Sequence, residues 1–129
     1  MSSIFLVEDD EYIGRVYERA FRLNGHTVTI VMDGEAALKQ LTSMNPLPEA
    51  VIMDVMMPKM NGEELLRTVR KDERFAHVPI AVLTNSFHEE SKHKFLELGA
   101  NLYMVKIDFK PQEVVHQIEA LIPGSRKVV

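Results

Sequence analysis

Ser3-Ile4-Phe5-Leu6-Val7-Glu8-Asp9-Asp10 decides how this chain is read. An apolar run too short for a helix stops abruptly at three acids. Four further short runs follow, at Thr27–Val31, Ala50–Met53, Ile80–Thr84 and Leu102–Val105. They are rich in β-branched residues and nearly continuous in apolarity, the pattern of strands covered on both faces. The segments between them repeat at helical spacing instead. Glu11–Asn24 carries Ile13, Val16, Tyr17 and Ala20 on one face, and Gly25 stops it. Gly34–Ser43 carries Ala37, Leu38 and Leu41 behind Asp33 as N-cap, and Gly62–Asp72 carries Leu65, Leu66 and Val69. Ser86 with Glu89 forms a capping-box pattern for a fourth helix that ends near Gly99. Pro111 opens a fifth, with Val114, Val115, Ile118, Leu121 and Ile122, and Pro123-Gly124 closes it.

Strand and helix therefore alternate five times. Strands joined by helical crossovers run parallel, and right-handed crossovers place helices on both faces. The expected fold is α/β, a three-layer α/β/α sandwich around a five-stranded parallel sheet. The 129 residues suit one domain, residues 1–124, followed by a short tail, 125–129. A net charge of −4 argues against a broad grip on nucleic acid, and the absence of cysteine excludes disulfides, Cys-ligated zinc and Cys nucleophiles. The longest apolar runs fall well short of a membrane helix, and the acidic start is unlike a signal peptide. A cytoplasmic protein is expected, with no membrane partner.

In an open parallel sheet, ligands bind beyond the carboxyl ends of the strands. Here the first strand runs into Glu8-Asp9-Asp10, the third into Asp54, the fourth ends on Thr84 and the fifth runs into Lys106. Carboxylates that converge at strand ends repel one another in a partly desolvated site. Lys106 offsets one charge, and a divalent cation with oxygen ligands, Mg²⁺ above all, would offset the rest. The Met56 carbonyl is a further ligand within reach of Asp54 in sequence. A carboxylate nucleophile beside Mg²⁺, a hydroxyl and a lysine suits phosphoryl transfer. Singly, each residue has a plainer explanation, since an Asp at a strand end is usually a turn residue or a cap. Asp10 needs no other role than to complement the helix that follows it.

Five signatures in order carry a family resemblance: Ile4-Phe5-Leu6-Val7-Glu8-Asp9-Asp10, Asp54-Val55-Met56-Met57-Pro58-Lys59-Met60-Asn61-Gly62, Val82-Leu83-Thr84, Leu98-Gly99-Ala100 and Tyr103-Met104-Val105-Lys106. Over residues 3–122 the chain resembles the receiver domain of two-component response regulators, with the flavodoxin/CheY-like doubly wound fold. That resemblance implies the strand order 2-1-3-4-5, which is CheY's own. It implies that Asp54 accepts a phosphoryl group from a sensor histidine kinase or histidine phosphotransfer protein. Asp9 would ligate Mg²⁺ directly, Glu8 mainly through water, and Asp54 and the Met56 carbonyl would complete the protein ligands. Lys106 would pair with Asp54 and then with the phosphoryl group, and Thr84 would hydrogen-bond it. Tyr103 would change rotamer as Thr84 moves, reshaping the surface of the fourth helix, fifth strand and fifth helix for a downstream protein or a second copy.

Two positions depart from the family's commonest pattern, and Gly14 is a further oddity, a glycine within a helix. Lys106 is followed by Ile107 where a cis-Pro is usual, so a trans bond is expected. Asn85 stands where Ala or Gly is usual and is a candidate modulator of phosphoryl lifetime. Gly14 lies inside the first helix, on a stretch that the family turns toward the kinase, and neutral drift explains it equally well. Other functions fit less well. Phosphohydrolases of the haloacid dehalogenase type carry an acid two residues after the nucleophile, where this chain has Met56. No Gly-rich phosphate loop follows the first strand, which argues against a nucleotide- or flavin-binding domain. A scaffold that has lost its chemistry would not need the full site. With the receiver filling the chain to Ile122, an output domain has no room, so the expectation is a stand-alone receiver, a monomer or a phosphorylation-dependent dimer. The alternative is a receiver segment of a longer regulator or hybrid kinase.

Overall fold

The computed structural model describes residues 2–57, 59–85 and 87–123. Five strands, β1 (Ser3–Val7), β2 (Thr27–Val31), β3 (Ala50–Met53), β4 (Ile80–Thr84) and β5 (Leu102–Val105), form one sheet. All neighbouring strands pair in parallel, in the order β2-β1-β3-β4-β5. Five helices alternate with them: α1 (Glu11–Leu23), α2 (Gly34–Ser43), α3 (Gly62–Arg70), α4 (Glu89–Glu97) and α5 (Pro111–Leu121).

The sheet divides the core into two layers. On one face Ile4, Leu6, Ile52, Ala81 and Leu83 pack with Tyr17, Ala20 and Phe21 of α1 and Val114, Val115 and Ile118 of α5. On the other, Phe5, Val7, Val51, Met53 and Val82 pack with Ala37 and Leu41 of α2, Leu65, Leu66 and Val69 of α3, and Phe95 of α4. The three central strands are buried on both faces, as near-continuous apolar runs require. The edge strand β2 is different. It alternates exposed and half-buried residues from Thr27 to Ile30, because an edge strand is covered less fully.

Local chemistry sets the helix boundaries. Asp10, Asp33 and Asn61 cap α1, α2 and α3, each accepting a backbone N–H three residues on. Gly25 and Gly99 lie at φ +86° and +111°, just after α1 and α4, where an L side chain would be strained. The helix α4 starts at Glu89 with His88 as N-cap, and among the described residues no side chain caps it. Ser86 lies outside the described residues, as does the tail 125–129. Gly14 is buried on the inner side of α1, where an added Cβ would meet Ile30 and Glu8.

Candidate functional site

The strand register assembles the site. Val7 is level with Met53 across β1 and β3, so Glu8 and Asp54 leave the sheet side by side. Thr84 is level with Val105, which brings Lys106 out beside the end of β4. The Lys106–Ile107 bond is trans, and a short 3-10 turn over Lys106–Asp108 carries the lysine. Its side chain points inward. Lys106 Nζ donates to Glu8 Oε1 at 2.7 Å and to Asp54 Oδ2 at 3.1 Å.

One ammonium thus serves two carboxylates that have almost no solvent, Glu8 at 2% and Asp54 at 4% exposure. Burial pushes the Glu8 carboxyl above its usual range, although the hydrogen bond and charge of Lys106 pull it down. Burial also works against the Lys106 charge, but the bond to Glu8 and the attraction of Asp54 outweigh it and raise the lysine's pKa. Asp9, exposed, brings a third carboxylate. Ligand oxygens of Glu8, Asp9 and Asp54 lie within 4.8 Å of one another. Three carboxylates against one ammonium leave unbalanced negative charge around an all-oxygen donor set, which fits a hard divalent cation. The Met56 N–H lies 3.4 Å from Asp54 Oδ1, so that peptide runs beside the carboxylate, while the Met56 side chain projects into solvent.

Thr84 is buried at the end of β4, between the Asp54 and Lys106 strands, and Asn85 after it is exposed. Tyr103 stands apart from the acids. It is half-buried, its hydroxyl donates to Ser91 Oγ on α4 at 3.1 Å, and its ring lies 6.0 Å from that of Phe95. The Asp10 side chain caps α1, and its N–H donates to Glu8 Oε2.

Two features escape a reading by strand ends. Lys106 binds Glu8 more closely than Asp54. Gly62 backs the Asp54 main chain: a Cβ there would lie 2.5 Å from the Asp54 carbonyl oxygen. Gly34 likewise clears the Met60 carbonyl.

The model of the response regulator receiver domain matches residues 4–119. The chain belongs to this family. Receiver domains are phosphoryl-accepting signalling domains of two-component systems, and they interact with histidine kinases. The alkaline phosphatase synthesis transcriptional regulatory protein PhoP of Bacillus subtilis is 34% identical over 122 residues, 95% of this chain and 49% of PhoP. This receiver spans about half the length of the curated relatives it matches. Among solved structures, chemotaxis protein CheY4 of Vibrio cholerae superposes with a TM-score of 0.85 at 26% identity, covering 95% of this chain and 99% of CheY4. The receiver domain of sensor histidine kinase PA1611 from Pseudomonas aeruginosa, with magnesium in its active-site cleft, gives 0.82 at 30% identity over 93% and 96% of the two chains. Among the described residues, no helix is long and apolar enough to cross a membrane.

Proposed function

We propose that this receiver is a phosphorylation switch in which Asp54 is the phosphoacceptor. The observation that carries the reading is the pairing of a buried Asp54 with Lys106 at the carboxyl edge of the sheet, beside Glu8 and Asp9. A carboxylate oxygen of Asp54 attacks the phosphorus of a phosphohistidine on a sensor kinase or phosphotransfer protein. The new O–P bond forms as the P–N bond breaks, and the imidazole nitrogen leaves with the electron pair and takes up a proton. Glu8, Asp9, Asp54 and the Met56 carbonyl would hold Mg²⁺, which when bound neutralises charge on the phosphoryl oxygens. Lys106 moves from the carboxylate to a phosphoryl oxygen, and the Thr84 hydroxyl donates to another. The shift at Thr84 releases Tyr103, and the surface of α4, β5 and α5 changes shape for a downstream protein or a second copy.

The same switch serves a free receiver signalling by protein contact or phosphorelay, or the receiver part of a longer regulator such as the relatives that this chain matches over about half their length. A phosphohydrolase is disfavoured, because Met56 stands where that chemistry needs an acid.

Incubation with acetyl phosphate and Mg²⁺ tests the proposal. The expected result is a mass gain of one phosphoryl group that is absent in Asp54→Asn. A chain that takes up no phosphoryl group and binds neither Mg²⁺ nor beryllofluoride refutes it.

A further inference from the structure

α4 is the least anchored helix of the fold. Of its nine residues only Phe95 is buried. Its His88 N-cap provides no side-chain bond. Two polar ties supplement Phe95. Lys94 Nζ meets Glu63 Oε1 on α3 at 2.9 Å, an ion pair open to solvent on both sides. The Tyr103 hydroxyl donates to Ser91 Oγ at 3.1 Å, in a partly enclosed position. An exposed ion pair contributes little, so the Ser91 bond is the more effective of the two polar ties.

That bond also determines where Tyr103 points. Ser91 and Phe95 are one helical turn apart on α4, so the same face holds both the hydroxyl and the ring of Tyr103. The conformation held in this way is the one in which the Asp54 carboxylate is itself engaged, Oδ2 by Lys106 and Oδ1 by the Met56 N–H. We infer that Ser91 is a positioning residue for the switch: its hydroxyl latches Tyr103 to α4 and biases the receiver toward the conformation in which Asp54 is unphosphorylated and held by Lys106.

The inference rests on the proposed roles of Asp54 and Tyr103. A ligand that favours one of two states shifts the balance by its differential affinity, and the reverse holds for a latch that favours the other. Loss of one net hydrogen bond of this kind shifts a two-state population by about fivefold. Ser91→Ala is therefore expected to be phosphorylated by acetyl phosphate and Mg²⁺ about fivefold faster than the parent. Tyr103→Phe, which keeps the ring and removes the donor, gives the same acceleration. The double variant Ser91→Ala/Tyr103→Phe gains no more than either single one, because both remove one bond. Ser91→Thr, which restores a hydroxyl, returns the rate toward the parent value, and Lys94→Ala leaves it within twofold.

The readout is intact mass against time, with melting curves to show that each variant is folded. A latch that only supported the fold would lower the melting temperature without speeding phosphorylation. Parent-like or slower rates in Ser91→Ala, or additive effects in the double variant, overturn the latch while leaving Asp54 as acceptor. An unphosphorylated parent overturns both.

Discussion

Replacing Gly62 by Ala adds one carbon at the foot of α3, and that carbon collides with backbone. The added Cβ would sit 2.5 Å from the Asp54 carbonyl oxygen and 3.0 Å from the Val55 Cα. Ordinary contact begins at about 3.4 Å, so the Asp54-Val55 backbone must retreat by roughly 0.9 Å. No flexible side chain can absorb the shift. Two effects oppose each other. Ala is better than Gly inside a helix by about 1 kcal/mol, whereas overpacking costs about 1–3 kcal/mol, toward the upper end when the obstacle is backbone. The clash wins, by about 1–2 kcal/mol, which lowers the melting temperature of a chain this size by roughly 3–8 °C. The chemical effect is larger. Misplacing a reacting group by about 1 Å costs on the order of 10²-fold in rate. Gly62→Ala should therefore remain folded and accept a phosphoryl group from acetyl phosphate and Mg²⁺ about a hundredfold more slowly. Calorimetry and time-resolved intact mass measure the two effects separately. A variant that melts with the parent and is phosphorylated within twofold of its rate would refute the packing argument.

The same substitution in α1, two helices earlier, has the opposite sign. At Gly14 the nearest atoms to an added Cβ are Ile30 Cγ2 at 3.7 Å and Glu8 Cγ at 3.8 Å, ordinary contacts, so Gly14→Ala should stabilise the fold by about 1 kcal/mol and raise its melting temperature. Burial raises the Tyr17 hydroxyl's pKa, so its contribution is full below about pH 10 and is lost as pH rises through the higher folded value. Tyr17→Phe should accordingly flatten the alkaline limb of the stability curve, and parallel limbs for the two chains would contradict this. Asn85→Ala should shorten the lifetime of the phosphorylated receiver by about fivefold, the effect of one lost hydrogen bond or of readier access for water. Equal dephosphorylation rates would remove Asn85 from the site. Chelation of Mg²⁺ should abolish phosphorylation by acetyl phosphate without unfolding the chain, as far-ultraviolet circular dichroism would report.

The strands were legible because their signal is local. A run such as Val51-Ile52-Met53 before Asp54 is bounded by its own composition, and all five runs match the strands residue for residue. The carboxyl-end cluster followed from topology, since parallel strands place Glu8, Asp54, Thr84 and Lys106 at one edge wherever the register falls. What stayed hidden depends on partners far apart in the chain. The Lys106–Glu8 bond joins residues 98 positions apart. Arg70 ties the end of α3 to the Gly99 and Phe75 carbonyls and to Asn101, and Arg74 caps α2 through the Leu41, Thr42 and Met44 carbonyls. Neither arginine carries a local mark that separates it from a solvated one. The burial of Gly14 stayed hidden because a glycine inside a helix has the same local appearance whether it faces solvent or lines the core.

His26 marks the far pole of the molecule. Its Nδ1 accepts the Ser2 N–H at 3.1 Å, and its Nε2 lies 2.7 Å from Glu119 Oε2. One buried imidazole therefore ties the entry to the first strand and the last turns of α5 together, at the amino edge of the sheet. The acidic pocket lies at the carboxyl edge, a full strand length away. A label or surface tether attached near residue 2 would therefore sit at the opposite end of the molecule and leave the pocket's mouth open.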